Sequence, residues 1–386
     1  MKKVVIRGPV MTQSGYGVHS RQFVKYAMSQ TDWDVYFQVT PWGITPWQLD
    51  TDDPVIKYIT ERTTTKNNKF DLSIQIQLPN EWNPNLATHN IGVSAIVHKD
   101  ICNPSWVTDC NKMSAVIVPS SCTKSVLENT GTLTTKCYVI NEAFPTEFEK
   151  EDECRIDLDL STNFNFLVYG QMTGENAETD RKNFFYTVRW LCEEFKDDKN
   201  VGILVKTNSG KNTIIDREIT SKMLNKLIQF VRPESEFPKV HLLHGNLKNT
   251  EVGGLYVHPK VKCLVSATRG EGYGLPLLEA AAQGLPVIAT NWSGHLDFLQ
   301  SGKFISLEYE MQEVPKSKID GQIFVPNCKW ANVREIDFKK KVRKFYKSNK
   351  TPKDWANSLK KSIRKSHSQS SIERQMSRAF EEVMSC

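Results

Sequence analysis

Short apolar runs alternate with amphipathic segments along most of the chain. In the first 40 residues, apolar runs at 4–7 and 33–39 predict buried strands, and the segment 19–28 between them predicts a helix. Further strands of the first half are predicted at 72–77, 91–97, 115–119 and 138–142, with a helix at 121–129. Strands separated by helices are typical of a parallel sheet covered on both faces. The predicted fold class is therefore α/β, with doubly wound sheets.

A charged and polar segment at 145–163 interrupts this pattern and predicts a linker. Beyond it, strands are predicted at 166–169, 201–206, 240–243, 262–266 and 286–289, and helices at 184–195 and 220–232. The two series predict two Rossmann-like domains, residues 1–147 and 148–354. A C-terminal helix of about 355–386 is expected to pack back on the first domain. A length of 386 residues agrees with two or three domains.

The composition narrows the protein class. Hydrophobic residues make up 39% of the chain, which allows sizeable cores, but no run of eighteen apolar residues predicts a membrane span. The N-terminal residues 1–9 indicate a first strand, not a signal peptide. Nine cysteines are odd in number and widely spaced, and no C-x2-C pair occurs. They predict reduced thiols in a cytoplasmic protein, with neither a disulfide framework nor a zinc site.

The net charge of +6 is concentrated near the C-terminus. The stretch 339–365 contains twelve lysines and arginines, against which stands only Asp354. A solvated face of C-terminal helices is the favoured interpretation, because lysine-rich helix faces are common on protein surfaces. Contact with nucleic acid or another anionic surface is the alternative.

Two glutamates, Glu271 and Glu279, frame a glycine-rich turn and the start of a helix. Gly272 and Gly274 let the backbone turn tightly and approach a ligand, and Pro276 suits the first turn of a helix. The free N–H groups of such a turn favour a phosphate. A phosphate site with two carboxylates beside it suggests a nucleotide sugar. The alternative is an ordinary strand–helix unit with incidental glutamates, but a buried core has no need of glutamate at these positions.

The segment 264–297 resembles the signature of the retaining nucleotide-sugar glycosyltransferases of family 4. Their E-x7-E element usually reads E-G-F/Y-G-L-P-x-L-E-A-x-A-x-G-x-P-V, and this chain matches it almost position by position. The resemblance implies the GT-B fold, in which two Rossmann-like domains face each other across a cleft. It also implies that the ligand lies at the carboxyl ends of the strands, where open α/β sheets bind ligands.

The resemblance also assigns roles to individual residues. The implied catalytic residues are Glu271, His98 and Lys182, and Lys206 is a further catalytic candidate from its position at the end of a predicted strand. The implied donor-binding residues are Gly15, Tyr16, Gly17, Gly272, Tyr273, Gly274, Leu275 and Glu279. Each set has a structural alternative: an ordinary flexible loop at 14–17, a structural hydrogen-bonding histidine, and surface lysines. The family often has an arginine where this chain has Gln171, and the hypothesis is that Lys206 supplies the missing charge.

The predicted function is retaining, metal-independent transfer of a sugar from a UDP- or GDP-type donor to an acceptor hydroxyl, by a hexosyl- or pentosyltransferase. No cofactor beyond the donor is expected, and the D-x-D at 157–159 is interpreted as incidental. A full G-x-G-x-x-G fingerprint is absent after the first strand, which disfavours a nicotinamide enzyme.

The acceptor is not specified by these residues. A hydroxymethylated base in phage DNA and an envelope glycan or lipid are the acceptors considered. A non-catalytic nucleotide-sugar-binding module and an epimerase are alternatives to transfer. The sugar, the nucleotide and the oligomeric state are not predicted.

Overall fold

The structure, a computed structural model, describes residues 1–65, 69–96, 99–174 and 176–385. The chain forms two compact units. The first comprises Met1–Ala143, Asp320–Val325 and Gln369–Cys386, and the second comprises Phe144–Ile319 and Pro326–Ser368. Each unit contains a six-stranded sheet whose strand pairs are all parallel. The predicted α/β class with doubly wound sheets is confirmed.

The first unit begins with alternating strands and helices. Its strands are β1 (Lys2–Gly8), β2 (Trp33–Val39), β3 (Phe70–Ile76), β4 (Ala87–Val93), β5 (Ala115–Val118) and β6 (Cys137–Val139). Its helices are α1 (Gly15–Met28), α2 (Pro54–Glu61), α3 (Pro104–Cys110) and α4 (Ser121–Thr130). The strand order is β2-β1-β3-β4-β5-β6.

The second unit repeats this architecture. Its strands are β7 (Phe164–Tyr169), β8 (Val201–Thr207), β9 (Lys239–His244), β10 (Val261–Ser266), β11 (Val287–Thr290), β12 (Ile305–Leu307), β13 (Tyr309–Glu313) and β14 (Lys329–Val333). Its helices are α5 (Phe184–Glu194), α6 (Ile214–Val231), α7 (Asn249–Val257), α8 (Leu275–Gln283), α9 (Leu296–Leu299), α10 (Glu335–Lys347) and α11 (Lys350–Ser366). The last helix of the chain, α12 (Gln369–Met384), belongs to the first unit.

The strand order of the second sheet locates its ligand site. The order is β12-β11-β10-β7-β8-β9, so the chain runs outward in one direction from β7 to β9 and in the other from β10 to β12. In open α/β sheets, ligands bind outside the carboxyl ends of the strands where this direction reverses. The reversal lies between β7 and β10, so the loops after Tyr169 and Ser266 form the expected site.

Two elements start earlier than predicted because side chains cap them. Ser14 accepts a hydrogen bond from the Gly17 N–H, so α1 starts at Gly15 rather than at residue 19. Thr213 and Asp216 form a reciprocal capping box, so α6 starts at Ile214 rather than at residue 220.

The C-terminal segment is two helices instead of the single predicted helix of about 355–386. His367 leaves helical geometry between them, with φ −121° and ψ 19°. Helix α11 packs Leu359 and Ile363 into a core of the second unit, whereas α12 packs Met376 and Phe380 into the core of the first. The break exists because the two halves bury their apolar faces in different cores.

Candidate active site

The loop that follows β7 is tied to the loop that follows β10. The Arg269 N–H donates to the Arg181 carbonyl over 2.9 Å, and the Asn183 side chain donates to the Ala267 carbonyl over 3.0 Å. Asn183 has a positive φ of 52°, a left-handed conformation that asparagine tolerates better than most residues. These bonds fix the backbone of residues 181–183 beside the strand end that carries Glu271.

A buried carboxylate, Asp180, organises the same loop. Its Oδ1 accepts hydrogen bonds from Thr173 and from the Lys182 N–H, and its Oδ2 accepts one from the Phe184 N–H over 2.6 Å. Asp180 therefore caps the first turn of α5 while it shapes the preceding turn. Lys182 projects from this fixed segment.

Glu271 is held by two cations. The Lys182 Nζ lies 2.7 Å from Oε1 and 2.6 Å from Oε2, and the Arg181 Nη1 lies 3.8 Å from Oε2. The Glu271 side chain is only 9% exposed. Burial by itself raises the pKa of Glu271, but the charges of Lys182 and Arg181 outweigh it and hold the pKa below its usual value. Glu271 is thus kept ionised.

The backbone of Glu271 is held by the loop after β11. The Glu271 N–H donates to Ser293 Oγ over 2.8 Å, and the Gly294 N–H donates to the Glu271 carbonyl over 3.0 Å. His295 is fully buried and lies 2.7 Å from the Thr290 carbonyl through Nε2. Burial lowers the pKa of His295, so its ring is neutral near pH 7.

Helix α8 begins at the glycine turn between the two glutamates. Gly274 precedes the helix with φ +99°, and Pro276 lies in its first turn. A Cβ at Gly274 would lie 3.2 Å from the His295 Cβ, so both the backbone conformation and the space favour glycine. Leu275 is the first helical residue, and the backbone N–H groups here point out of the helix end.

Glu279 lies in a different cluster, further along α8. The Tyr256 hydroxyl donates to its Oε2 over 2.9 Å, and Tyr256 stacks on Tyr169 with ring centroids 6.3 Å apart. Burial raises the pKa of Glu279 to about 7, although the Tyr256 hydrogen bond and the charge of Lys206 both act to lower it. Both the neutral and the ionised form of Glu279 are therefore populated near pH 7.

Lys206 belongs to this second cluster. Its ammonium donates to Asn208 Oδ1 over 2.7 Å and to the Gly245 carbonyl, and it lies 5.4 Å from the centre of the Tyr169 ring. Burial lowers the pKa of Lys206 to about 8. The charge of Lys206 thus acts on Glu279, while Lys182 and Arg181 contact Glu271.

Tyr273 and Gly272 occupy the turn before α8. The Tyr273 side chain is 2% exposed and packs in the core, with its ring centroid 5.2 Å from that of Phe298 and 6.4 Å from that of His367. Its ring faces the protein interior, so a donor contact at Tyr273 would come from its backbone.

The predicted loop of the first unit follows β1. A Cβ at Gly17 would lie 2.0 Å from the Thr12 carbonyl oxygen, so only glycine fits there, whereas Gly15 is exposed and has open space around it. The Tyr16 hydroxyl accepts from the Ala95 N–H over 2.9 Å, and its ring stacks on Trp42 at 3.8 Å. His98 lies outside the described residues.

Sequence reasoning omitted several residues from the site. Arg181 directly precedes Lys182 in the sequence, and the loop at 291–295 directly follows the predicted strand at 286–289, so their positions were the available signals. Tyr256 carries no sequence signal, because it reaches Glu279 from a different helix, α7.

A family comparison matches part of the second unit. Residues 211–362, which include Glu271 and Glu279, match the family model described as glycosyl transferases group 1. This chain contains a group 1 glycosyl transferase domain. For this domain, the predictions of a group 1 glycosyltransferase and of a glycosyltransferase as the enzyme class are confirmed.

Solved structures agree on the fold. A glycosyltransferase from Rickettsia africae matches with a TM-score of 0.65 at 13% identity, over 99% of each chain. Sucrose-phosphate synthase from Thermosynechococcus elongatus matches with a TM-score of 0.63 at 11% identity, over 100% of each chain. TarM from S. aureus matches with a TM-score of 0.52 at 15% identity, over 83% of this chain and 56% of TarM. These likenesses confirm the predicted GT-B fold class.

The chain spans just over half the length of TarM. No curated protein matches the chain by sequence. Among the helices in the described ranges, none is both long and apolar enough to cross a membrane.

Proposed function

We propose that this group 1 glycosyltransferase transfers a sugar, with retention of anomeric configuration, from a nucleotide-diphosphate sugar to an acceptor hydroxyl. The observation that carries the proposal is the ionised Glu271 beside Lys182 and Arg181, at the carboxyl ends of β7 and β10. A carboxylate for the sugar thus lies next to cations for a diphosphate. The family 4 mechanism and freedom from metal ions are parts of this proposal.

The proposed donor is of the UDP or GDP type. A solved structure of TarM contains UDP and alpha-GlcNAc-glycerol, which supports a UDP donor here. In this assignment Glu279 accepts hydrogen bonds from the ribose. The backbone of Gly272–Leu275 faces the phosphates, and Gly15, Tyr16 and Gly17 remain predicted contacts of the donor or the acceptor.

The proposed reaction breaks the anomeric C–O bond, and the electron pair passes to the β-phosphate oxygen of the leaving nucleoside diphosphate. The acceptor oxygen forms the new bond on the same face of the sugar, and its proton passes to that phosphate oxygen. Lys182 stabilises the leaving charge, and the Glu271 carboxylate binds sugar hydroxyls and stabilises the oxocarbenium-like centre. His98 is proposed to orient the sugar, and Lys206 to act through Glu279 at the ribose.

A donor screen tests the proposal. The chain is incubated with UDP- and GDP-sugars, and release of the nucleoside diphosphate is followed with and without candidate acceptors by mass spectrometry. We expect one donor to be consumed by the wild type and to be spared by Glu271→Ala. Donor binding without turnover would instead favour a binding module, and isomerisation of the bound sugar would favour an epimerase.

The eight free cysteines among the described residues support a reducing compartment such as the cytoplasm.

A DNA acceptor is the second proposal, and the basic stretch at 339–365 favours it in one specific way. The basic side chains that face the protein are paired: Lys339 with Glu193, Arg343 with Glu194, and Arg364 with Glu151. Six lysines are exposed and form no ion pair within the described part of the chain: Lys340, Lys344, Lys347, Lys350, Lys353 and Lys361.

The exposed lysines recur at helical spacing on the solvent faces of α10 and α11. The apolar faces of both helices are buried in the second unit, through side chains such as Phe338 and Leu359. This face is mainly cationic, although the exposed Ile336 of α10 lies beside Lys340. A mainly cationic face with so little apolar surface suits a phosphate backbone better than insertion into lipid. This favours DNA over a membrane-embedded acceptor.

Binding to duplex DNA at several salt concentrations tests this second proposal. Replacing Lys340, Lys344 and Lys347 by glutamine is expected to reduce the slope of log affinity against log salt by roughly 2 to 3. The matched control replaces three exposed lysines elsewhere on the second unit, Lys199, Lys211 and Lys222. Equal effects of the two triple variants, or no binding at low salt, would reject DNA and leave a glycan or lipid acceptor.

A further inference from the structure

We propose that the loop at 40–53, between β2 and α2, binds an uncharged sugar ring of the acceptor, and that the Trp47 indole stacks on that ring. The role as an acceptor site rests on the proposed function, in which a sugar is transferred to another molecule. The binding of a sugar ring to the loop does not depend on that reaction, and it is measurable without donor. The loop belongs to the first unit, whereas Glu271 and Glu279 belong to the second.

The 40–53 loop lies at the carboxyl edge of the first sheet. β1 and β2 are parallel neighbours, so the loops that follow them leave the sheet at the same edge. The strand order reverses between β1 and β3, next to the loop that follows β1. Open α/β sheets bind their ligands at such a reversal, so the 40–53 loop lies beside the expected ligand position of this sheet.

Backbone hydrogen bonds fix the 40–53 loop to the loop that follows β1. The Gln13 N–H donates to the Pro46 carbonyl over 2.9 Å, and the Gln48 N–H donates to the Met11 carbonyl over 2.7 Å. Trp47 lies between these two attachment points in the sequence. Its backbone is therefore held in place before a ligand binds, which lowers the entropy cost of binding.

A stacked pair of aromatic rings anchors the start of the loop. The Trp42 ring lies on the Tyr16 ring, with centroids 3.8 Å apart and planes that differ by 19°. The Tyr16 hydroxyl accepts a hydrogen bond from the Ala95 N–H and lies 3.0 Å from Ser94 Oγ. Tyr16 is thus held at its ring and at its hydroxyl, and Trp42 is held with it.

The loop keeps large hydrophobic side chains in water. Ile44 is 76% exposed, Trp47 is 44% exposed and Leu49 is 70% exposed. Within the described part of the first unit, the other exposed large hydrophobic residues are Met1 and Met28. Hydrophobic side chains that are gathered on one fixed loop and left uncovered indicate a ligand-binding surface.

The charged residues of the loop are all acidic: Asp50, Asp52 and Asp53. Asp53 caps α2 and accepts a hydrogen bond from the Gln48 side chain, whereas Asp50 and Asp52 are exposed. Exposed carboxylates repel phosphate groups, so they disfavour both a nucleic-acid backbone and an anionic lipid surface. They can accept hydrogen bonds from uncharged hydroxyls.

Arg21 of α1 lies close to the loop, but its charge is already engaged. Its Nη1 donates to the Val10 carbonyl over 2.9 Å and to the Thr12 carbonyl over 2.7 Å. Burial lowers the pKa of Arg21 to about 10, and the charge of Asp53 opposes this effect. Arg21 therefore holds the loop after β1 and is balanced by Asp53, so it does not reverse the acidic character of the surface.

A sugar ring matches this combination of an indole face and carboxylates. The face of an indole is electron-rich, and the C–H bonds on one face of a pyranose carry small positive charges that pack against it. The hydroxyls at the edge of the ring are donors that suit Asp50 and Asp52. A nucleobase would also stack on Trp47, but its phosphates would be brought to an acidic surface. The loop therefore favours a glycan acceptor over the DNA acceptor of the second proposal.

A glycan array tests the proposal. Wild-type protein is applied without donor to neutral oligosaccharides of glucose, galactose, mannose and N-acetylglucosamine, to sulfated oligosaccharides and to single-stranded DNA oligonucleotides. We expect retention of neutral oligosaccharides, and calorimetric titration then measures their affinity. Trp47→Ala is expected to weaken this binding roughly five- to fiftyfold, because it removes the stacking face. The matched control is Phe230→Ala, which removes an exposed aromatic side chain of α6 and is expected to bind like the wild type.

A conservative variant separates stacking from folding. Trp47→Phe retains an aromatic face and is expected to recover most of the affinity that Trp47→Ala loses. Repair of a folding defect would not explain this difference if the melting temperatures of the two variants are equal. Replacing Asp50 and Asp52 by lysine tests the charge argument, and this double variant is expected to gain retention of the DNA oligonucleotides.

Three results would overturn the proposal: no neutral oligosaccharide is retained by the wild type, Trp47→Ala binds as tightly as the wild type, or DNA is retained more strongly than neutral oligosaccharides and is lost in Trp47→Ala. The last result would assign the loop to a nucleobase. Failure of the proposed function is a separate outcome. Retention of a neutral oligosaccharide by a wild type that consumes no UDP- or GDP-sugar would reject sugar transfer and leave the loop as a carbohydrate-binding site.

Discussion

Glu271 and Glu279 belong to the same short sequence element, yet the structure gives them opposite electrostatic environments. Glu271 lies between Lys182 and Arg181, and their charges keep its pKa below the usual value. Glu279 lies against Tyr256, and burial raises its pKa to about 7. Glu271 is buried and Glu279 is partly buried, so desolvation acts on both carboxylates and does not by itself set their ionisation.

The difference shows what decides the charge of a buried carboxylate. Desolvation disfavours the ionised form at both positions, and only close cations reverse this effect. The Lys182 ammonium contacts both carboxylate oxygens of Glu271, at 2.6 and 2.7 Å. Glu279 instead accepts a hydrogen bond from the neutral Tyr256 hydroxyl. Glu271 is suited to a permanent charge next to a reacting centre, and Glu279 to hydrogen bonding with a neutral hydroxyl.

The strongest challenge to this comparison is Glu271→Ala. Removing the permanent charge is expected to lower kcat roughly 10²- to 10³-fold, because this charge is proposed to stabilise the transition state. Steady-state transfer or donor hydrolysis measures the effect. Glu218→Ala, on the exposed face of α6, is the control and is expected to retain full activity. Near-wild-type turnover of Glu271→Ala would refute the assignment.

The ion pair itself is tested by Lys182→Met. This change leaves the Glu271 charge with Arg181 alone at 3.8 Å and is expected to reduce the free energy of unfolding by about 2–4 kcal/mol at pH 7. Urea denaturation measures it. Adding Glu271→Gln removes the carboxylate charge that has lost its ammonium partner. The double variant is therefore expected to recover part of the lost free energy of unfolding. A purely additive double variant would show that the two side chains are not coupled.

The raised pKa of Glu279 makes stability depend on pH. Between its usual value of 4.5 and about 7, the folded protein retains a proton on Glu279 that the unfolded chain has lost, so this residue's contribution to stability falls as the pH rises through that window. Glu279→Gln removes this loss and is expected to gain roughly 1–3 kcal/mol relative to the wild type between pH 4.5 and pH 8.

Denaturation of both proteins at pH 4.5 and pH 8 checks this expectation. Glu218→Gln serves as the control, because an exposed glutamate has no burial penalty. A difference between Glu279→Gln and the wild type that does not vary with pH would show that Glu279 ionises normally.

The smallest expected effect is that of Tyr256→Phe. The Tyr256 hydroxyl stabilises the ionised form of Glu279, so its removal is expected to raise the pKa of Glu279 by about half a unit to one unit. The pH at which stability stops falling would move upward by the same amount. Tyr169→Phe removes the hydroxyl of the stacked partner and is the matched control. An equal shift of the Glu279 pKa in both variants would assign the effect to the polarity of the surroundings and not to the hydrogen bond between Tyr256 and Glu279.

Much of the fold was predictable from local patterns. Apolar runs and their spacing predicted the alternating strands and helices, because strand burial and helix amphipathicity depend on residues that are close together in the sequence. Helix starts were missed where a single cap decided them, as at Ser14 and Thr213. The break at His367 was missed because it depends on which core each helix joins.

For the candidate site, the sequence by itself determined the motif of Glu271, the glycine turn and Glu279, and with it the glycosyltransferase class. Only the tertiary structure decided which cations serve which carboxylate. Arg181 and Lys182 contact Glu271, whereas Tyr256 contacts Glu279 and the charge of Lys206 acts to lower the Glu279 pKa, although these residues are far apart in the sequence. Ionisation depends on distances of a few ångströms between such groups, and the order of residues along a chain does not specify those distances.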